Sequence, residues 1–186
     1  MMKLSIGLLL LFLSFNQALS SLYYAKGINQ RKTESDVSQY INREDGKCKR
    51  TNAIIQKANE LTKNQKTTLD KAKAIFNFVK DKIGYTYYDN SQRGASTTLS
   101  RGSANCCDQA NLIVALCRAV KILVRYVHGV GCRFSSGTYG HVWTQILVDN
   151  IWYAADPTSV RNSFGYINNW YYKSFALRGI YALLSF

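Results

Sequence analysis

The chain has 186 residues, enough for one domain with a sizeable core, and 47% hydrophobic with 13% aromatic content argues for a globular fold over a disordered one. A formal net charge of +13 predicts long-range attraction to polyanions. The Lys and Arg residues are scattered, with no helix-turn-helix, RNA-binding or zinc-finger signature beside them, which argues against nucleic acid and leaves an acidic cell envelope or an anionic peptide as the better partner.

At the start, Lys3 supplies a positive charge, Leu4 to Phe15 an apolar stretch and Ala18-Leu19-Ser20 a small-residue cleavage pattern. Residues 1–20 therefore read as a secretory signal peptide, which implies a secreted or surface location. The apolar run is shorter than the about 20 residues of a membrane helix. Retention as an uncleaved anchor, extended by Leu19, Leu22 and the tyrosines that follow, is the alternative. Residues 21–64 read as a polar extension of helical and irregular structure packed on the outside, with weak patterns at Val37-Tyr40-Ile41 and Ile54-Ile55-Ala58-Leu61.

The main domain is expected over residues 65–186, with no internal repeat and no linker. Leu69, Ala72, Ile75, Phe76, Val79 and Ile83 form one stripe, so Thr68 to Lys82 is an amphipathic helix, with Thr68 and Asp70 suited to its N-terminus. Tyr85-Thr86-Tyr87-Tyr88 is β-prone or extended, and Asp89 to Gly94 is a loop. Tyr87 and Tyr88 are candidates for a substrate wall, with ordinary packing as the alternative.

The small and capping residues Gly102, Ser103 and Asn105 precede Ala110, Ile113, Val114 and Cys117 at helical spacing, so a buried helix begins near Cys106. A thiol at a helix start meets unpaired N–H groups and the positive end of the macrodipole, which favour thiolate and make Cys106 a candidate nucleophile. Cys117, further along the helix, reads as core.

Downstream, Leu123 to His128 alternates as a strand, Gly129-Val130-Gly131 breaks it, and Cys132 to Gly140 reads as a flexible connection ending at His141. Val142 to Val148 and Ile151 to Ala155 are strands joined by Asp149-Asn150, a two-residue turn signal. Pairing Val148 with Ile151 sets Trp143 opposite Asp156 and makes His141 and Asp156 diagonal neighbours on one face, about 7–8 Å apart at Cα. An Asp that orients a His, and a primed Cys that meets it, have the triad logic of acyl transfer. His128, followed by a glycine break and without an acidic partner at hairpin range, reads as structural. A Ser/Asn-rich loop follows Pro157, then Trp170-Tyr171-Tyr172 and a last strand near Arg178 to Leu184.

The order Cys, then His141-Val142-Trp143, then Trp152-Tyr153-Ala154-Ala155-Asp156-Pro157-Thr158, resembles the transglutaminase-like cysteine-enzyme superfamily. Tyr126-Val127-His128-Gly129, Tyr139-Gly140-His141-Val142-Trp143 and Arg161-Asn162-Ser163-Phe164-Gly165-Tyr166-Ile167-Asn168-Asn169-Trp170 are similar to its archaeal, methanogen-associated branch of pseudomurein endoisopeptidases. The resemblance implies an α+β, papain-like or transglutaminase-like core with the nucleophile helix on an antiparallel sheet. It maps the nucleophile onto Cys106, the base onto His141 and the orienter onto Asp156. Asp108 completes the pattern of Cys, any residue, Asp, and Cys107 at the variable position is a departure that leaves it as an alternative thiol. A second departure is Lys121-Ile122-Leu123 where the family's turn reads Gly-Ile-Pro. The implied activity is a secreted cysteine peptidase or endoisopeptidase, monomeric and without a cofactor, acting on peptide cross-links of a pseudomurein-type wall. A transglutaminase with an amine acceptor and a non-catalytic surface or adhesion domain are the alternatives.

Five cysteines in an exported chain suggest disulfides, and Cys48 with Cys132 is the pair left if one forms, since Cys106 is needed and Cys117 is buried. If the source is a strict anaerobe, as the resemblance implies, all five remain thiols. Cys106, Cys107, Cys132, His128 and His141 offer ligand atoms for zinc, but no Cys-x-x-Cys and no paired spacing, so no metal site is expected.

Overall fold

The computed structural model describes residues 29–32, 46–171 and 174–178. Its helices are α1 (Asn52–Thr62), α2 (Thr68–Lys82), α3 (Gly94–Arg101) and α4 (Cys106–Ala119). Its strands are β1 (Gln30–Arg31), β2 (Gly84–Tyr85), β3 (Ser103–Ala104), β4 (Val124–Phe134), β5 (Gly137–Val148), β6 (Ile151–Ala155), β7 (Trp170–Tyr171) and β8 (Ser174–Arg178). The export pattern of residues 1–20, the helical pattern at Val37-Tyr40-Ile41, Tyr172 and positions 179–184 of the expected last strand lie outside the described residues.

Helix α4 is the centre. Every residue from Cys106 to Arg118 is buried, because neighbours cover the helix on all sides and its polar residues Asp108, Gln109 and Asn111 find hydrogen-bond partners. Helices α1, α2 and α3 pack on it, and so do β4 and β5. The stripe of α2 delivers Ala72, Ile75, Phe76 and Val79 to this core, and α1 adds Ile54 and Ala58. The N-cap of α2 is Thr67, one residue before the expected start; its hydroxyl accepts from the Asp70 N–H at 3.1 Å and donates to the Asp70 carboxylate at 2.7 Å.

The main sheet runs β1-β6-β5-β4, with β7 and β8 both along the far edge of β4, and its pairs are antiparallel. One face, with Val124, Tyr126, Val142, Ile146 and Val148, joins the helical core. The other carries Val127, Cys132, Trp143 and Ala154 and is closed by Ile167 and Trp170. Tyr126 ties sheet to helix, its hydroxyl donating to Asn111 Oδ1 at 2.8 Å. The architecture is α+β, as the resemblance implies.

The hairpin of β5 and β6 turns at Asp149 and Asn150 with φ of 48° and 63°, the left-handed pair of a type I′ turn. Val148 faces Ile151 and Thr144 faces Ala155, so the register follows the turn as the sequence predicts.

Elsewhere the structure departs from the sequence reading. Gly129-Val130-Gly131 does not end a strand, because β4 continues to Phe134 and the ladder shifts between Gly129 and Cys132 as a bulge. Cys132 to Gly140 is not a flexible connection but two arms of a hairpin, with Phe134 opposite Gly137. The glycines mark close approach: a Cβ on Gly129 would lie 2.5 Å from Cys132 Sγ and 3.0 Å from the Trp143 ring. Helix α3 was not expected from its sequence, Gly-Ala-Ser-Thr-Thr-Leu-Ser-Arg, which carries little apolar periodicity. No disulfide joins Cys48 and Cys132 or any other pair; Cys48 belongs to the helical core and Cys132 to the second core. At the end of α4, Lys121 takes the left-handed φ of 60° that the family's glycine would adopt, and the Ile122 N–H closes on the Cys117 carbonyl at 2.9 Å.

Candidate active site

Cys106 is the first residue of α4, and Asn105 is its N-cap, with Oδ1 accepting from the Asp108 N–H at 3.0 Å. The approach to this helix start is braced from outside. Strands β2 and β3 pair in parallel, Gly84 with Ser103 and Tyr85 with Ala104, and the Gln109 amide donates to the Ile83 carbonyl at 3.0 Å. The Asn105 amide in turn holds the carbonyls of Tyr88 at 2.8 Å and Asn90 at 2.7 Å.

Asp108, which in the sequence only completed a motif, organises the loop beside the nucleophile. Its carboxylate accepts from Ser91 Oγ at 2.6 Å, Tyr88 OH at 2.8 Å, Asn111 Nδ2 at 3.0 Å and the N–H groups of Gln92, Arg93 and Gly94 at 3.0, 2.8 and 2.8 Å. Burial by itself would raise this carboxyl, but the Ser91, Arg93, Tyr88 and Gly94 donors hold it below the ordinary carboxylate range. One anion thus fixes residues 88–94 to the first turn of α4.

From the sheet side, β5 carries His141 and the end of β6 carries Asp156. His141 Nε2 and Asp156 Oδ2 are 3.0 Å apart, both side chains buried. The same Oδ2 accepts from the indole N–H of Trp170 at 2.6 Å. Oδ1 takes the Thr158 N–H at 3.0 Å and hydroxyl at 2.7 Å. The imidazole stacks on Trp143 with centroids 6.0 Å apart, and meets Trp170 and Phe134 edge-on at 4.9 and 5.1 Å. With Nε2 engaged by Asp156, Nδ1 is the ring nitrogen left for Cys106, which lines the same cleft.

These contacts set the charges. The Cys107 thiol donates to the Cys106 sulfur, and against the opposing effect of burial the hydrogen bond and charge of His141 and the Val142 N–H add to it, lowering the Cys106 thiol well below its ordinary value. For His141, burial opposes the charged ring, yet the charge and hydrogen bond of Asp156, with the hydrogen bond to Cys106, push it from 6.5 up to about 10. Asp156 is held low: burial would raise it, and His141, Trp170 and Thr158 outweigh burial. These directions favour the thiolate and the imidazolium together, beside an ionised carboxylate.

A cleft of about 640 Å³ opens over Cys106 and His141. Tyr85, Tyr87 and Tyr88 line one side, and Phe134 and Tyr139 of the β4–β5 hairpin also face it. Among the described residues, no Lys, Arg, Asp or Glu lines it.

The structure therefore brings together Cys106, His141 and Asp156, and places both Tyr87 and Tyr88 on the cleft. Tyr88 is held by Asp108 with Arg93 over its ring at 4.6 Å, whereas Tyr87 is 75% exposed. His128 stands opposite Val142, one residue out of phase with His141, and has no place in the cleft. Cys107 is fully buried. Sequence reasoning missed Trp170 as a donor to Asp156, and Tyr85 and Tyr139 as cleft residues. The only signal for Trp170 was its place within the Arg161 to Trp170 resemblance. Among the described residues, no group of three His, Cys, Asp or Glu side chains is arranged to hold a metal, and no helix is long and apolar enough to cross a membrane.

A profile described as the transglutaminase-like superfamily matches residues 55–157, a span that includes Cys106, His141 and Asp156. Among solved structures, a proposed cysteine protease from Cytophaga hutchinsonii aligns at 19% identity with a TM-score of 0.60, over 78% of this chain and 56% of that one. A proposed protease from Parabacteroides distasonis aligns at 13% identity and TM-score 0.48, over 68% of this chain and 26% of that one. The periplasmic domain of TgpA from Pseudomonas aeruginosa, bound to ethylmercury, aligns at 18% identity and TM-score 0.47, over 56% and 43%. The first of these shares the fold, and this chain spans little more than half of its length. No curated protein matches the sequence.

Proposed function

Since the chain belongs to the transglutaminase-like superfamily, we propose that it is a cysteine enzyme of acyl transfer whose Cys106, His141 and Asp156 open an amide. The observation that carries this reading is that a thiol at a helix start shares one cleft with an imidazole held at 3.0 Å by a buried carboxylate. In the reaction, the Cys106 thiolate attacks the amide carbon. His141 gives its proton to the leaving amine, and Asp156 holds the ring and stabilises its charge. The backbone N–H of Cys106 is one donor to the developing oxyanion. Water then attacks the thioester, passing a proton back through His141, and the thiolate is regenerated.

The substrate we propose is an isopeptide or peptide cross-link in a pseudomurein-type cell wall, met by a secreted or surface-bound monomer. Support comes from the export pattern of residues 1–20 and from the resemblance of the Arg161 to Trp170 segment to wall endoisopeptidases. The net charge of +13 suits retention on an acidic envelope, and the described lining of the cleft, without Lys, Arg, Asp or Glu, suits an uncharged amide.

The test is to incubate the purified protein with isolated pseudomurein walls and assay newly freed lysine ε-amines. Release by the wild type and none by Cys106→Ala is the expected result. Incorporation of a labelled amine in place of release identifies a transglutaminase. Equal behaviour of the two proteins overturns the catalytic reading in favour of a surface domain.

A further inference from the structure

We propose that the Tyr85 hydroxyl is the second donor of the oxyanion hole, acting with the Cys106 N–H on the tetrahedral oxygen. The inference rests on the acyl-transfer reading above and adds a catalytic residue to it.

Four observations converge on this residue. First, β2 is fixed to the nucleophile: Tyr85 pairs with Ala104, two residues before Cys106, and the flanking bonds Gly84 N–H to Gly102 O (2.8 Å) and Thr86 N–H to Ala104 O (3.0 Å) lock the strand in place. Second, its side chain lines the cleft with Cys106 and His141 and is 52% exposed, so it meets whatever enters. Third, the other polar side chains on this wall are engaged. Tyr87 OH donates to Asp89 at 2.9 Å, Tyr88 OH to Asp108 at 2.8 Å, and the Asn105 amide to two carbonyls. Among the described residues, the Tyr85 hydroxyl has no hydrogen-bond partner. Fourth, burial and then the negative charges of Cys106 and Asp156 drive its ionisation upward, so the hydroxyl keeps its proton and acts as a donor.

The chemistry balances without a further reactant. The thiolate forms the S–C bond, and the carbonyl π pair moves to oxygen, where Tyr85 O–H and Cys106 N–H donate hydrogen bonds without transferring a proton. Collapse returns the pair to C=O and breaks C–N as His141 protonates the amine. Water repeats the sequence on the thioester. A donor that meets the oxygen only once it carries charge lowers the barrier and leaves ground-state binding little changed.

The experiment compares wild type, Tyr85→Phe and Cys106→Ala with p-nitrophenyl acetate as acyl donor and, in parallel, iodoacetamide, whose attack on sulfur creates no oxyanion. The expected result for Tyr85→Phe is a kcat lower by about 10²–10³, with KM within about twofold. Its rate of Cys106 alkylation is expected to equal that of the wild type, which shows the thiolate and the fold intact. Wild-type turnover that survives unchanged in Tyr85→Phe overturns the role of Tyr85 and leaves the triad standing. Wild-type turnover no faster than Cys106→Ala overturns the acyl-transfer reading and this inference with it. A fall in alkylation equal to the fall in kcat assigns Tyr85 to holding the thiolate and overturns its oxyanion role.

Discussion

The two ends of α4 each carry a cysteine, and the two are opposites. Cys117 is fully enclosed by the helical core, where burial drives its thiol upward against a small opposing effect of Arg118. Cys106 is nearly as buried at 6% exposure, yet its thiol is lowered, because the Cys107 thiol, the His141 ring and the Val142 N–H all serve the anion. Burial alone makes cysteine inert; burial beside donors and a cation makes it reactive. The difference comes from which groups the chain delivers to each end of one helix.

That contrast can be broken most severely at the carboxylate. Asp156→Asn removes the charge that keeps His141 protonated, and kcat is expected to drop about 10⁴-fold, measured with any ester or amide substrate. The same change alters stability with a definite sign. A histidine raised from 6.5 to about 10 on folding contributes stability that is complete below 6.5 and is lost as pH rises through about 10. The Tm gap between wild type and Asp156→Asn should therefore narrow across that window.

Trp170→Phe keeps the ring and deletes the N–H that reaches Asp156 Oδ2. A loss of roughly 10-fold to 100-fold in kcat is expected, the cost of one positioning hydrogen bond to a charged group. The diagnostic readout is the acid limb of the pH profile, which should move to higher pH because the carboxylate has lost a donor. A purely structural role for Trp170 would lower stability and leave that limb in place.

At the other end of the helix the effects are on stability alone. Cys117→Ala should cost about 1–2 kcal/mol by denaturant titration and leave Cys106 alkylation untouched. Lys121→Gly should gain about 0.5–1 kcal/mol, because glycine adopts the left-handed φ of 60° without the Cβ penalty.

The sequence revealed most where local signals decide structure. The cap at Asn105, the apolar spacing of α4 and the left-handed Asp149-Asn150 turn are written in adjacent residues, and the turn fixed the register that carries Asp156 to His141. What was hidden depends on distant chain. Gly129 and Gly131 looked like a strand's end because the bulge that uses them is visible only when Cys132 and Trp143 pack against Gly129. Helix α3 is held by tertiary contacts, its start fixed by Asp108 at Gly94 and by the Lys47 carbonyl at the Ala95 N–H, which its own composition does not announce. Trp170 reaches Asp156 across the loop of residues 157–169, and Tyr85 reaches the cleft through a parallel pair of two-residue strands too short to show a pattern.

The measurement closest to the central claim is the rate of iodoacetamide labelling at each cysteine as a function of pH, read by mass spectrometry on the folded protein. With a thiolate held by His141, labelling falls on Cys106 with a midpoint below the ordinary cysteine value of about 8.5, and His141→Ala moves that midpoint up toward it. Labelling that declines about tenfold per pH unit below about 8.5 in the wild type, or that falls on Cys107 instead, would contradict the account.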